Sequence, residues 1–226
     1  MKKIMLIALA AGCCLGGLHG ENVRDYKDYR GYRVLTVKPE PYLWLLGPYH
    51  TTRSAFHLHN FEMVESGPEI LEHPEKLASF DLIYIGTRRK FTPEQADGLI
   101  GYLSKNGAVY ANWGGPLQTR RLLDALGVEK NCPDMAKGIV LNGKFWGQIN
   151  ADNKLIFPEW VGHVKMRTKK GMYGHEMCGL HAASKEDEIA RDLQNIPLGV
   201  FHRTAGGGRA LTLGFVPENN KTYVNG

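Results

Sequence analysis

Phe80-Asp81-Leu82-Ile83-Tyr84-Ile85-Gly86 is an unbroken apolar run closed by Asp on one side and Gly on the other. A strand with one wet face alternates; a continuous run reads as a strand covered on both faces, the habit of parallel sheets. Just beyond it, Thr92-Pro93-Glu94-Gln95 spells a helix start. Thr92 is the N-cap, Pro93 sits in the first turn where its missing N–H costs nothing, and Gln95 completes a capping box. Ala96, Leu99, Ile100 and Leu103 then recur at helical spacing until Asn106-Gly107 stops the helix. Residues 108–112 (AVYAN) read as a second buried strand, broken by Gly114-Gly115-Pro116. Residues 117–126 predict an amphipathic helix, with Leu122, Leu123 and Leu126 inward, Arg120, Arg121 and Asp124 outward, and Gly127 ending it. Strands and helices that alternate at such short spacing imply a parallel sheet with crossover helices. Right-handed crossovers place those helices on both faces.

Working outward, residues 32–37 (YRVLTV) predict the first strand, which runs into Lys38-Pro39-Glu40-Pro41 where prolines end pairing. Residues 42–49 are apolar and stop at Gly47-Pro48. A helix is expected over 52–60, a short strand over 61–65, and a brief helix or turn over 74–79 after the Gly67-Pro68 break. The C-terminal half is less regular. Short alternating segments occupy 138–156, a strand is expected over 160–166, and a short helix over 189–193. Residues 198–203 and 209–215 read as strands of a hairpin around Thr204 to Gly208. That Gly-rich connector lacks the Lys-Ser/Thr of a phosphate-binding loop.

Residues 1–20 have the form of an export signal. Met1-Lys2-Lys3 is basic and residues 4–12 are uncharged and apolar, too short to span a bilayer, which takes about 20 residues. Two cleavage schemes fit: a lipobox ending at Cys13, which would be lipidated and anchor the chain to a membrane, or ordinary cleavage after Leu18-His19-Gly20. Either predicts an exported protein, in the periplasm or held at the envelope as a lipoprotein. Residues 21–31 read as a tether and 32–226 as one domain, long enough for a full core. The chain is 43% hydrophobic with a formal charge of +5, so it is globular and only mildly basic. Charges are mixed along it, so no nucleic-acid face is expected. Cys132 and Cys178 can pair in an oxidising compartment or remain as two buried thiols.

The order of these pieces resembles the class I glutamine amidotransferase-like superfamily. More narrowly, it resembles the ThuA-like (trehalose-utilisation) proteins and the trimerisation domains of bacterial β-galactosidases. The resemblance is carried by Leu77 to Gly86, Phe91-Thr92-Pro93-Glu94-Gln95, Tyr102 to Val109, Leu123 to Val128 and Gly207 to Gly214, with residues 131–192 weakly covered. It implies a flavodoxin-like, doubly wound α/β fold with a mainly parallel sheet and helices on both faces. An amidotransferase has a Cys in the turn after the strand corresponding to 108–112; here that place reads Asn112-Trp113-Gly114-Gly115. Without a nucleophile beside a base, glutamine hydrolysis is not expected.

Ligands of open α/β sheets sit outside the carboxyl ends of the strands. Three connections converge there: the one holding His50 and Arg53, the one holding Arg88, and Asn112-Trp113. Trp113 can stack on a sugar ring, Arg53, Arg88 and Asn112 can bond hydroxyls or carboxylates, and His50 can serve as acid or base. The alternative for each is ordinary loop packing. His57 and His59, two apart on a helix, face different ways. His175-x-x-Cys178-x-x-His181 has a ligand-like spacing but matches no established zinc pattern, so no metal and no cofactor is expected. The expected partner is a small polar or sugar-like ligand. The rival reading, from the same resemblance, is a non-catalytic interaction domain of the envelope that forms a homo-oligomer.

Overall fold

The computed structural model describes residues 29–38, 52–53, 56–57, 59–86, 90–112, 119–132, 139–141, 154–155, 179–191 and 195–214. Its centre is the run that opens the sequence reading. β3 (Leu82–Ile85) is buried along its whole length and has a parallel neighbour on each side. These are β1 (Arg33–Val37) and β4 (Ala108–Ala111). β2 (Glu62–Ser66) lies outside β1, also parallel. β11 (Arg209–Leu213) lies parallel to β4 on the other side. The five parallel strands run in the order β2-β1-β3-β4-β11.

Beyond β11 the sheet changes character. β10 (Pro197–Arg203) pairs antiparallel with β11, β9 (Glu188–Arg191) with β10, β6 (Ile139–Leu141) with β9, and β7 (Lys154–Leu155) with β6. This makes nine strands in one sheet among the described residues. A separate antiparallel pair joins β5 (Val128–Cys132) to β8 (Gly179–Ala182). The fold is α/β, as expected, with an antiparallel wing that the sequence reading did not anticipate beyond its hairpin. The helix expected over 189–193 is the strand β9. Its Ile189 and Ala190 are consecutive and both buried, and a segment so short holds too few apolar positions to separate a period of 3.6 from one of 2.

One face of the parallel strands carries helices. After β2 come a 3-10 turn (Pro68–Glu72) and α1 (Pro74–Leu77). α2 (Pro93–Ser104) joins β3 to β4, and α3 (Arg120–Leu126) follows β4. Side chains alternate across a strand. Leu35, Val37, Ile83, Ile85, Val109 and Ala111 therefore share a core with Leu99, Leu103, Leu122 and Leu126. α2 starts with the expected capping box: Gln95 N–H donates to Thr92 Oγ1 and Thr92 N–H to Gln95 Oε1, each at 3.2 Å. Inside α2, Gly98 meets the 3-10 turn so closely that a Cβ would lie 1.6 Å from the Leu71 carbonyl oxygen. α3 ends as expected at Gly127, whose φ of 68° is the left-handed conformation glycine adopts without strain.

The Gly-rich connector is a hairpin turn that also finishes α2. Thr204 Oγ1 donates to the Leu103 carbonyl at 3.2 Å, answering one of the helix's terminal acceptors. A Cβ on Gly206 or Gly208 would fall 1.9 or 1.8 Å from the carbonyls of Ser104 and Leu103. Bare backbone is what lets the turn sit on the helix end. On the opposite face of the sheet, packing begins at Tyr29, inside the segment read as a tether. Its ring is buried and stacks on Phe61 at 4.7 Å between centroids. Phe56, from the helical turns at 52–53 and 56–57, packs edge-on against Tyr84 on this face.

Candidate functional site at the carboxyl ends of the parallel strands

The carboxyl ends of β1, β3, β4 and β11 lie at one edge of the sheet, with β1 and β3 adjacent. The chain leaves β1 toward β2 and leaves β3 toward β4, on the other side. The switch of direction therefore falls between β1 and β3, where ligands of such sheets bind.

Beneath this edge is an uncharged polar knot. Tyr84 and Tyr110 are register partners on β3 and β4, and their rings lie 5.3 Å apart. Tyr84 Oη is 2.9 Å from Thr52 Oγ1 and 3.2 Å from Asn112 Oδ1. Asn112 Nδ2 reaches Thr52 Oγ1 and Tyr110 Oη, each at 3.4 Å. All four side chains are fully buried. A phenol has one proton to give. The closed set therefore has Tyr84 donating to the amide oxygen, which has no proton, while the rotatable Thr52 hydroxyl donates back to Tyr84. Each buried polar group is answered, as burial requires.

Local sequence explains how this forms. Tyr84 leans along its own strand over Gly86, where a Cβ would come within 2.0 Å of Tyr84 Oη. Asn112 follows β4 and keeps the ladder going, its N–H donating to the Ile85 carbonyl at 3.2 Å. The knot therefore joins three separate pieces of chain: the β1–β2 connection through Thr52, β3 through Tyr84, and the start of the β4–α3 connection through Asn112.

At the β1–β2 side of the edge, Arg53 Nε lies 3.2 Å from Glu65 Oε2, and Lys38 Nζ lies 3.7 Å from Glu65 Oε1. One carboxylate thus gathers two cations. The Arg53 side chain is 30% exposed, so it is still open to water.

Of the sequence-predicted site residues, the structure places Arg53 at this rim and Asn112 in the knot. His50, Arg88 and Trp113 lie outside the described residues, as do Cys13 and Cys178. Cys132 ends β5 in register with Gly179, the residue that follows Cys178. His57 is exposed, and His59 sits beside the Tyr29 ring. His181 lies on β8, whereas His175 is not among the described residues. No group of three or more His, Cys, Asp or Glu that could hold a metal occurs among the described residues. Thr52, Tyr84 and Tyr110 were missed by sequence reasoning. The available signal was a polar-tipped aromatic in each of two aliphatic strands, two residues before Gly86 in one and before Asn112 in the other.

No protein-family model matches the chain, and neither does any curated protein. Solved structures do. The fold is shared with a ThuA-like protein. That protein, from Bacteroides uniformis, superposes with a TM-score of 0.57 at 10% identity, covering 86% of each chain. Two β-galactosidases also match in part. The enzyme from Rahnella sp. R3 gives a TM-score of 0.52 at 13% identity, over 86% of this chain and 31% of that one. The enzyme from Bacillus circulans sp. alkalophilus gives 0.51 at 13% identity, over 84% of this chain and 30% of that one. The chain thus spans about a third of each β-galactosidase. At such identities the likeness is one of fold.

Proposed function

We propose that this protein is an exported, ThuA-like domain that binds a carbohydrate or sugar-derived metabolite at the carboxyl ends of β1, β3 and β4. The observation that carries the reading is the buried knot of Thr52, Tyr84, Tyr110 and Asn112. It ties together the chain segments from which the ligand-facing connections arise, and a binding site needs such a rigid base. The strand order β2-β1-β3-β4-β11 supports the flavodoxin-like form of the fold, whose ligands bind at the same switch point. The sugar association is supported by the likeness to a ThuA-like protein and to parts of two β-galactosidases.

In this reading Trp113 stacks on a sugar ring, and Arg53 and Arg88 hold its oxygens. Asn112, whose amide is engaged inside the protein, serves by fixing the point from which Trp113 departs. His50 is the group assigned acid–base chemistry, should the bound sugar be processed. The place of an amidotransferase nucleophile is taken by Asn112-Trp113, which supports the absence of glutaminase activity.

Thermal-shift screening of the purified protein against a panel of mono- and disaccharides tests the proposal, with size measured alongside. A sugar that raises the melting temperature, and no longer does so in Trp113→Ala, is the expected result. A stable oligomer indifferent to every sugar would refute it in favour of an assembly domain.

A further inference from the structure

The parallel strands begin at the edge opposite the proposed sugar site, and three cations gather there. Arg203 ends β10 and Arg209 starts β11; they are register partners that close the glycine turn. Lys105 caps the end of α2, against which that turn sits. Arg203 and Lys105 are exposed and Arg209 is half-buried. Among the described residues no carboxylate pairs with any of the three: on the β9 side, Asp187 is held by His202 and Glu188 by Arg191. Nor is their charge spent on the helix end. Thr204 answers the Leu103 carbonyl, and the N–H groups of Lys105 and Gly107 answer that of Tyr102. Arg209 Nη1 donates instead to Asn106 Oδ1 at 3.1 Å.

Like charges directly opposite one another across an antiparallel pair repel. Burial, and then the charge of Arg203, lowers the pKa of Arg209. Arg209 Nε is shielded from water and makes no hydrogen bond. Arg203 is steadied with its guanidinium 5.7 Å from the centre of the Phe201 ring. Two guanidiniums held side by side, one of them partly stripped of water, attract an anion more strongly than two free in solvent. A carboxylate has two oxygens and fills one fork. A phosphate or sulfate group has oxygens for two forks and a second charge for the second cation.

We infer that Arg203 and Arg209, with Lys105 beside them, bind a tetrahedral oxyanion: a phosphate or sulfate group, free or carried on a larger molecule. The inference does not depend on the sugar reading, because every residue in it lies at the other edge of the sheet.

The test is thermal unfolding and amide NMR of the full chain in inorganic phosphate, sulfate, glycerol 3-phosphate and acetate, each against sodium chloride at equal ionic strength. At least one of the first three is expected to raise the melting temperature beyond the chloride control and to shift the amides of Gly206, Gly207 and Gly208. Inorganic phosphate or sulfate acting at the lowest concentration assigns a free ion, and glycerol 3-phosphate doing so assigns a carried group. Arg203→Gln and Arg209→Gln should each weaken the apparent affinity about tenfold. Lys76→Gln removes the same charge at an exposed position on α1 and should leave it unchanged. Chloride stabilising as much as the oxyanions would reduce the effect to screening and overturn the inference. So would acetate acting as well as phosphate and sulfate, or an affinity undiminished in Arg203→Gln. Arg203 is exposed, so that variant decides the matter even if Arg209→Gln fails to fold.

Discussion

Replacing Gly98 with Ala tests how the helical layer is set against the sheet. In an open helix this change gains about 1 kcal/mol, because glycine is a poor helix former. Here the new Cβ would lie 1.6 Å from the Leu71 oxygen and 2.8 Å from the Leu71 carbon, both backbone atoms that no rotamer change can move. Relief requires α2 and the 3-10 turn at Pro68–Glu72 to separate. Overpacking of this kind costs roughly 1–3 kcal/mol. Separation also strains the 3.0 Å bond from Gln95 Nε2 to Glu72 Oε1, which is worth about 1 kcal/mol. Set against the propensity gain, a net loss of about 2 kcal/mol is expected, or roughly 4–8 °C in melting temperature for a chain of this size. Gly101 supplies the control on the same helix. Nothing lies within 4 Å of its added Cβ, so Gly101→Ala should stabilise by about 0.5–1 kcal/mol. Urea unfolding of the two variants and the parent measures both changes. If Gly98→Ala is as stable as the parent, or Gly101→Ala is the worse of the two, the close approach of α2 to the turn is wrong.

Two other outcomes follow from buried polar groups. Asn112→Ala removes the amide's bonds to Tyr84, Thr52 and Tyr110, leaving the Tyr84–Thr52 bond in place, and should cost about 1–3 kcal/mol, whereas Asn112→Asp should cost more because it buries a negative charge in the same spot; denaturant unfolding ranks them. Tyr102 donates to the Phe80 carbonyl at 3.0 Å, and its burial pushes its pKa up to about 12 from an ordinary 10.0. A raised pKa means the folded state holds the proton after the unfolded chain has released it. The stabilisation is therefore complete below pH 10 and is lost as pH climbs toward 12, an alkaline decline of about 2–3 kcal/mol. Tyr102→Phe should flatten that decline in a stability–pH series, and an unchanged slope would contradict it.

The parallel half of the fold was legible because its elements carry their own punctuation. Thr92 to Gln95 states the helix start in local hydrogen bonds, and Gly127 states an end in backbone conformation. The antiparallel wing carries no comparable marks. β6, β7 and β9 are two to four residues long, and each is a strand only because a distant neighbour pairs with it. The 3-10 turn after Gly67 was hidden for a related reason, since Pro68 reads as a break until Leu71 is seen to be fully buried. At the site, Asn112 could be singled out by its place just after a strand. Its partners could not. Tyr84 and Tyr110 look like core filler in sequence, and only the β3–β4 register and the return of Thr52 over the sheet turn them into a network.

β11 follows every other described strand in the chain, yet it is the piece that joins β4 to β10 in the middle of the sheet. In the chain the segments of both halves precede the strand that joins them, so without β11 the edges of β4 and β10 would be left open. Pairing across so long a span of chain is slow, and open edges invite association with other molecules. The sheet has no seam until residues 209–213 insert, so the last described strand to be made is the one that closes both open edges.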